Sequence, residues 1–252
     1  MDTNVALRKR TGFDSAGMRV LYGMLYPFFH CRSEVPPEIQ THEDPIVFVC
    51  NHYELFGPIA LMTSLRARFR VWSNERLLEA GNEVEQLVDG AVVMVPVFSK
   101  QTMSKLLHKL APLVEWIFER LHAIPVSRTE TGKLLSTMRK SVAAMEAGES
   151  IVIFPEKGEP HYALGSVTPF YSGFAMLGEF AGRRLKKPIS FCPIHIDKAK
   201  RKMRFGELVK YIPGDMKTES QRVSDRLYEQ MQSLALEAGY RPIAAIEQEA
   251  GQ

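Results

Sequence analysis

The sequence predicts an α/β fold: a mostly parallel sheet covered by helices, with an amphipathic helical segment at its N-terminus. Three observations carry that expectation. Short apolar runs rich in β-branched residues recur at 45–50 (PIVFVC), 149–156 (ESIVIFPE) and 187–196 (KPISFCPIHI); such continuous runs suit strands buried on both faces. Segments with helical periodicity lie between them. Repeated strand–helix alternation is the pattern of a parallel sheet with helical crossovers.

Composition sets the bounds. The 252 residues are 45% apolar and 24% charged, enough for one α/β domain to bury a full core. The formal net charge of +3 favours an anionic surface without demanding one, and is too small to imply nucleic acid. Cys31, Cys50 and Cys192 each stand in or beside an apolar run, where a free thiol behaves as a small hydrophobe, and they point to a reducing, cytoplasmic setting. Residues 1–10 are polar and end in Arg8, Lys9 and Arg10, unlike a signal peptide. The longest run free of charged residues, PHYALGSVTPFYSGFAMLG, carries too many prolines, glycines and polar groups for a lipid-exposed span. Any contact with a membrane is therefore expected to be peripheral, on its cytoplasmic face.

Taken in order, residues 14–30 (DSAGMRVLYGMLYPFFH) follow the basic leader with apolar and aromatic side chains at most positions. Two readings fit them: an interfacial anchor helix, or a helix packed on the domain through Met18, Leu21, Tyr22, Leu25 and Tyr26. Residues 1–40 are set apart as this segment, and 41–252 as the main domain. The prolines of SEVPPEIQTHEDP mark a loop, and PIVFVC then delivers the chain to NHYELFGP. Gly57-Pro58 suits a helix start, so His52 belongs to a strand-to-helix loop. AVVMVPVF (91–98) is apolar, and the apolar positions from Met103 to Leu121 recur at threes and fours. HAIPVSR predicts a strand ending near Arg128, followed by a helix over about 130–147 closed by Gly148. After the strand ESIVIFPE come a helix near 173–185, the strand KPISFCPIHI, a basic hairpin-like stretch over 198–214 and a C-terminal helix to about Ala238. The basic runs 183–187 and 198–204 predict solvated faces.

In an open α/β sheet, ligands gather at the carboxyl ends of the strands. Three such loops hold unusual polar residues: Asn51-His52-Tyr53-Glu54, Ser127-Arg128 and Glu156-Lys157-Gly158-Glu159. Together they offer a base, a cation and a carboxylate–glycine turn. Acyl transfer needs that set: a base for an attacking hydroxyl, charge for a phosphorylated acceptor, and donors for a tetrahedral oxyanion.

On these residues the chain resembles the glycerol-3-phosphate and 1-acylglycerol-3-phosphate O-acyltransferases, over four ordered blocks between about Pro45 and Tyr211. The family's Asn-His, four residues, Asp-Pro appears as NHYELFGP. Its strand ending in a basic residue appears as AIPVSR, its Phe-Pro-Glu-Gly-Thr-Arg as IFPEKGEP, and its Pro-Ile strand as KPISFCPIHI. RFGELVKY is similar to the closing strand. The resemblance implies that His52 is the general base, Arg128 a ligand for acceptor phosphate, and Glu156, Lys157 and Gly158 part of the acceptor site. It implies a lysophospholipid-type acceptor, an acyl thioester donor (acyl-CoA or acyl carrier protein), and no metal or organic cofactor. A catalytically inactive lipid- or thioester-binding member of the same fold is the alternative.

Two departures sharpen the expectations. Gly57 stands where the family has the aspartate that orients the imidazole, and the arginine of the third block is missing. Glu54, two residues beyond His52, would lie on the same side of an extended stretch and is expected to replace the aspartate as the imidazole's partner. On that view Gly57→Asp partly rescues an enzyme lacking the Glu54 carboxylate, if residue 57 tolerates a side chain.

Overall fold

The computed structural model describes residues 16–53, 56–65, 67–75, 99–109, 112, 116, 119–120, 122–127, 131–157, 165–243 and 246. Its elements are α1 (Ala16–Phe29), β1 (Arg32–Ser33), α2 (Pro37–Gln40), β2 (Ile46–Cys50), α3 (Phe56–Ser64), β3 (Phe69–Asn74) and α4 (Lys100–Lys109). These are followed by β4 (Ile124–Val126), α5 (Thr131–Glu146), β5 (Ser150–Ile153), a 3₁₀ turn (Ser172–Met176), α6 (Leu177–Leu185), β6 (Ile189–Asp197), β7 (Lys202–Phe205), β8 (Val209–Tyr211) and α7 (Met216–Ala238).

The strands form one sheet in the order β1-β7-β6-β2-β5-β3-β4, and β8 also pairs with β6. From β6 to β4 every pairing is parallel, and β7 and β8 run antiparallel to β6. The fold is thus the mostly parallel α/β sheet that the sequence predicts. Its central strands bury both faces because alternate side chains enter different cores. Val47, Val49, Ile151 and Ile153 join Met138, Leu177 and Leu227 on one face. Phe48, Cys50, Val152 and Cys192 join Leu61, Met18 and Tyr22 on the other.

The N-terminal helix packs on the domain through one face and carries exposed apolar side chains on another. Met18 and Tyr22 are buried, Leu21 and Leu25 are half-buried, and Tyr26 is exposed. Phe29 meets Phe56 at a ring-centroid distance of 5.7 Å, which puts the end of α1 beside the start of α3. Val20, Met24 and Phe28, spaced by fours, point outward. All three cysteines are buried and free, and burial pushes the Cys31 thiol up to about 11. Gly148, at φ +77°, closes the helix before β5 as predicted. The apolar run 91–98 lies outside the described residues.

Candidate active site

The parallel pairing of β2 with β5 creates the site. Val49 is paired with Ile153, and three residues beyond each the chain reaches His52 and Glu156. Glu156 Oε2 accepts the backbone N–H of His52 at 2.5 Å, and Oε1 accepts that of Thr168 at 3.2 Å. The Glu156 carboxylate therefore bridges the loop after β2 and the returning limb of the loop after β5. A short antiparallel pairing holds that limb: Glu156 bridges Phe170, Lys157 N donates to Pro169 O at 3.0 Å, and Tyr171 N donates to Pro155 O at 2.9 Å.

Asn51 fixes the other flank of His52, a role that sequence reasoning did not assign. Its Oδ1 accepts Ile196 N at 2.7 Å and its Nδ2 donates to Ile196 O at 3.2 Å. The buried side chain thereby continues the β2–β6 ladder after the backbone has turned away. Beyond His52 the chain turns sharply, with Tyr53 at φ +43°, a conformation costing roughly 1–2 kcal/mol for a residue with a side chain. The imidazole is exposed, and its ring packs edge-on against Phe154 with centroids 5.1 Å apart.

Phe154 is also a wall of a cavity of about 340 Å³ at the carboxyl ends of β3, β4 and β5. Trp72, Val126, Leu134 and Phe174 are among its apolar lining, and Ser127 and Asn74 among its polar points. Exposed Tyr171 stands at its edge with Lys157 Nζ 5.7 Å from the ring centroid. A histidine next to an apolar chamber at the ligand end of the sheet is an arrangement suited to binding an apolar ligand beside a polar group.

Of the predicted site residues, the structure brings His52, Glu156 and Lys157 together. Glu54, Arg128 and Gly158 lie outside the described residues, although Val126 and Ser127, just before Arg128, line the cavity. One expectation is overturned. A Cβ built on Gly57 would stand 1.9 Å from the His52 carbonyl oxygen and 3.1 Å from that of Asn51. The start of α3 packs directly on the backbone of the His52 loop, so a side chain at 57 displaces His52 and Gly57→Asp cannot act as a rescue. Close approach, not backbone angle, requires this glycine.

The fold and the site together place a histidine at the ligand edge of an α/β sheet, beside an apolar chamber. Residues 85–197 match the family model described as Acyltransferase. The match includes Arg128, Glu156, Lys157 and Gly158 and begins after His52. Among solved structures, the chain is similar to the 1-acyl-sn-glycerophosphate (LPA) acyltransferase PlsC from Thermotoga maritima. The identity is 13% and the TM-score 0.48, over 86% of this chain and 76% of that one. No curated protein matches the chain.

Proposed function

We propose that the protein transfers a fatty acyl group from a thioester, acyl-CoA or acyl carrier protein, to the hydroxyl of a lysophospholipid or similar glycerolipid acceptor. The observation that carries this reading is the position of His52, exposed at the end of β2 and sharing Phe154 with an apolar cavity. The imidazole takes the proton of the acceptor hydroxyl as the oxygen attacks the thioester carbonyl. Collapse of the tetrahedral adduct breaks the C–S bond, and the imidazolium returns the proton to the leaving sulfur. The acyl chain occupies the cavity. Arg128, Lys157 and Gly158 bind the acceptor's polar end, where a guanidinium fork matches phosphate oxygens. Glu54 is the proposed partner of the imidazole. The mechanism assigned to these residues uses no metal or organic cofactor.

We place the enzyme peripherally on the cytoplasmic face of a membrane. Among the described residues no helix is long and apolar enough to cross one. Support comes from the outward row Val20, Met24 and Phe28 of α1, behind the basic residues Arg8, Lys9 and Arg10. Binding is expected to be partly salt-sensitive and largely lost on deleting residues 1–30.

The test is a matrix of acyl-CoA and acyl carrier protein donors against lysophospholipid and other hydroxyl acceptors, with His52→Ala as the blank. Thiol release that depends on the acceptor is expected, and the His52→Ala variant should lose roughly 10²- to 10⁴-fold in rate with its fold intact. Near-wild-type turnover in that folded variant would remove His52 from the mechanism.

A further inference from the structure

We infer that Glu156 is a positioning residue for His52, acting through the backbone of the base and not as a ligand of the acceptor. This rests on the reading of His52 as general base. Each partner of Glu156 is placed by a separate constraint. The β2–β5 register brings His52 and Glu156 level with each other at the edge of the sheet. The antiparallel bridge to Phe170, together with the Thr168 hydroxyl donating to Lys157 O at 3.2 Å, fixes the backbone from which the carboxylate extends. From there the two oxygens accept one amide from each loop, His52 N–H at 2.5 Å and Thr168 N–H at 3.2 Å.

His52 requires such a hold. On its N-terminal side Asn51 is tied to Ile196, and on its C-terminal side Tyr53 sits in the left-handed region. Between those points the backbone offers the His52 N–H as a donor, and an ionised acceptor binds it more strongly than a neutral one does. Fixing that amide fixes where the imidazole starts. A carboxylate turned toward the acceptor would repel its phosphate, whereas one turned onto two amides meets positive dipole ends. Glu156 thus links the first and third sequence blocks mechanically.

The test is Glu156→Gln, a near-isosteric change that turns one oxygen into an NH₂ group facing an N–H donor. One clamp bond is then lost. The expected result is a fall in kcat of about 10²-fold, the size associated with misplacing a reacting group by 1 Å, with KM for acceptor and donor held within about twofold. Hydrogen–deuterium exchange at the His52 amide should quicken in the same variant. Glu156→Asp keeps the charge but is one methylene shorter and cannot reach both amides. It should fall between wild type and Gln, and it carries the test alone if the Gln variant does not fold. A rise in acceptor KM with kcat preserved would make Glu156 an acceptor ligand and overturn the inference, as would unchanged exchange at His52. Exchange is read without turnover, so a failure of the base assignment, seen as an active His52→Ala, is distinguishable from a failure of the clamp.

Discussion

The ends of β6 and β5 flank β2 at the carboxyl edge of the sheet, each with a carboxylate, and the two carboxylates serve opposite ends. At the end of β6 the Asp197 side chain has no solvent exposure. One of its oxygens accepts from Lys200 N and from the Tyr240 hydroxyl, both at 3.0 Å, and the other accepts from Arg204 at 3.1 Å. Burial alone would raise its pKa, but these three donors and the Arg204 charge outweigh burial and hold it below the ordinary value. Beyond the end of β5 the Glu156 carboxylate is half-buried and spans two loops, holding the backbone N–H of His52, whose imidazole is exposed. A carboxylate closed in by its own donors stabilises architecture. One spanning two loops fixes the backbone of each, here at His52 and Thr168.

The comparison is open to attack at both ends, and the largest stability effect belongs to β6. Asp197→Ala strands Arg204 and Tyr240, and breaking a buried charge pair costs roughly 3–5 kcal/mol. Urea unfolding should record that loss, and a change below about 1 kcal/mol would mean that the network is not structural. Next comes Gly57→Ala on the β2 side. Its Cβ meets the His52 carbonyl, so overpacking should cost about 1–3 kcal/mol in stability while activity falls by far more than the residual folded fraction explains. Activity that tracks the folded fraction alone would show that His52 tolerates displacement.

The smallest effect is a pH dependence next to Asp197. His195 is fully buried, its Nε2 donates to Gly165 O at 2.9 Å, and its Nδ1 has no hydrogen-bond partner among the described residues. Burial lowers its pKa below 6.5, against opposing effects from Gly165 and Asp197. Because the folded value is depressed, its contribution is present above 6.5 and declines as pH falls below that. Asp197 follows the same sign, its contribution declining below 3.8 as pH falls through the lowered folded value. Urea midpoints should therefore drop in two stages, and His195→Gln should flatten the first. A wild-type midpoint level from pH 7 to pH 5 would show that His195 does not titrate on unfolding.

The central strands were legible because burial on both faces leaves a continuous apolar run, as in PIVFVC and KPISFCPIHI. The strand β3, FRVWSN, was not, although it lies between β5 and β4. Its polar pattern makes sense only with partners from elsewhere: Arg70 Nε pairs with Glu149 at 2.5 Å and Trp72 Nε1 donates to Ser141 at 2.8 Å. The place of His52 in a strand-to-helix loop was legible because an apolar strand runs into it and Gly57-Pro58 starts the next helix. The Glu156 clamp was not, because what it binds at position 52 is a backbone N–H, which nearly every residue type supplies. Gly57 was read as a lost carboxylate. The backbone contact that demands it arises only once the loop has folded back on the start of α3.

That contact also shapes the mutational routes open to the enzyme. An aspartate at 57 requires the His52 carbonyl to move first, and a moved carbonyl no longer sets the His52 amide on Glu156. The two loop designs are thus separated by coupled changes, since residues in direct contact do not contribute additively. In a library varying positions 52–57 together with 156, Gly57→Asp should survive selection for activity only in combination with other substitutions. Taken alone, the change meets a clash between one methyl-sized group and one carbonyl oxygen.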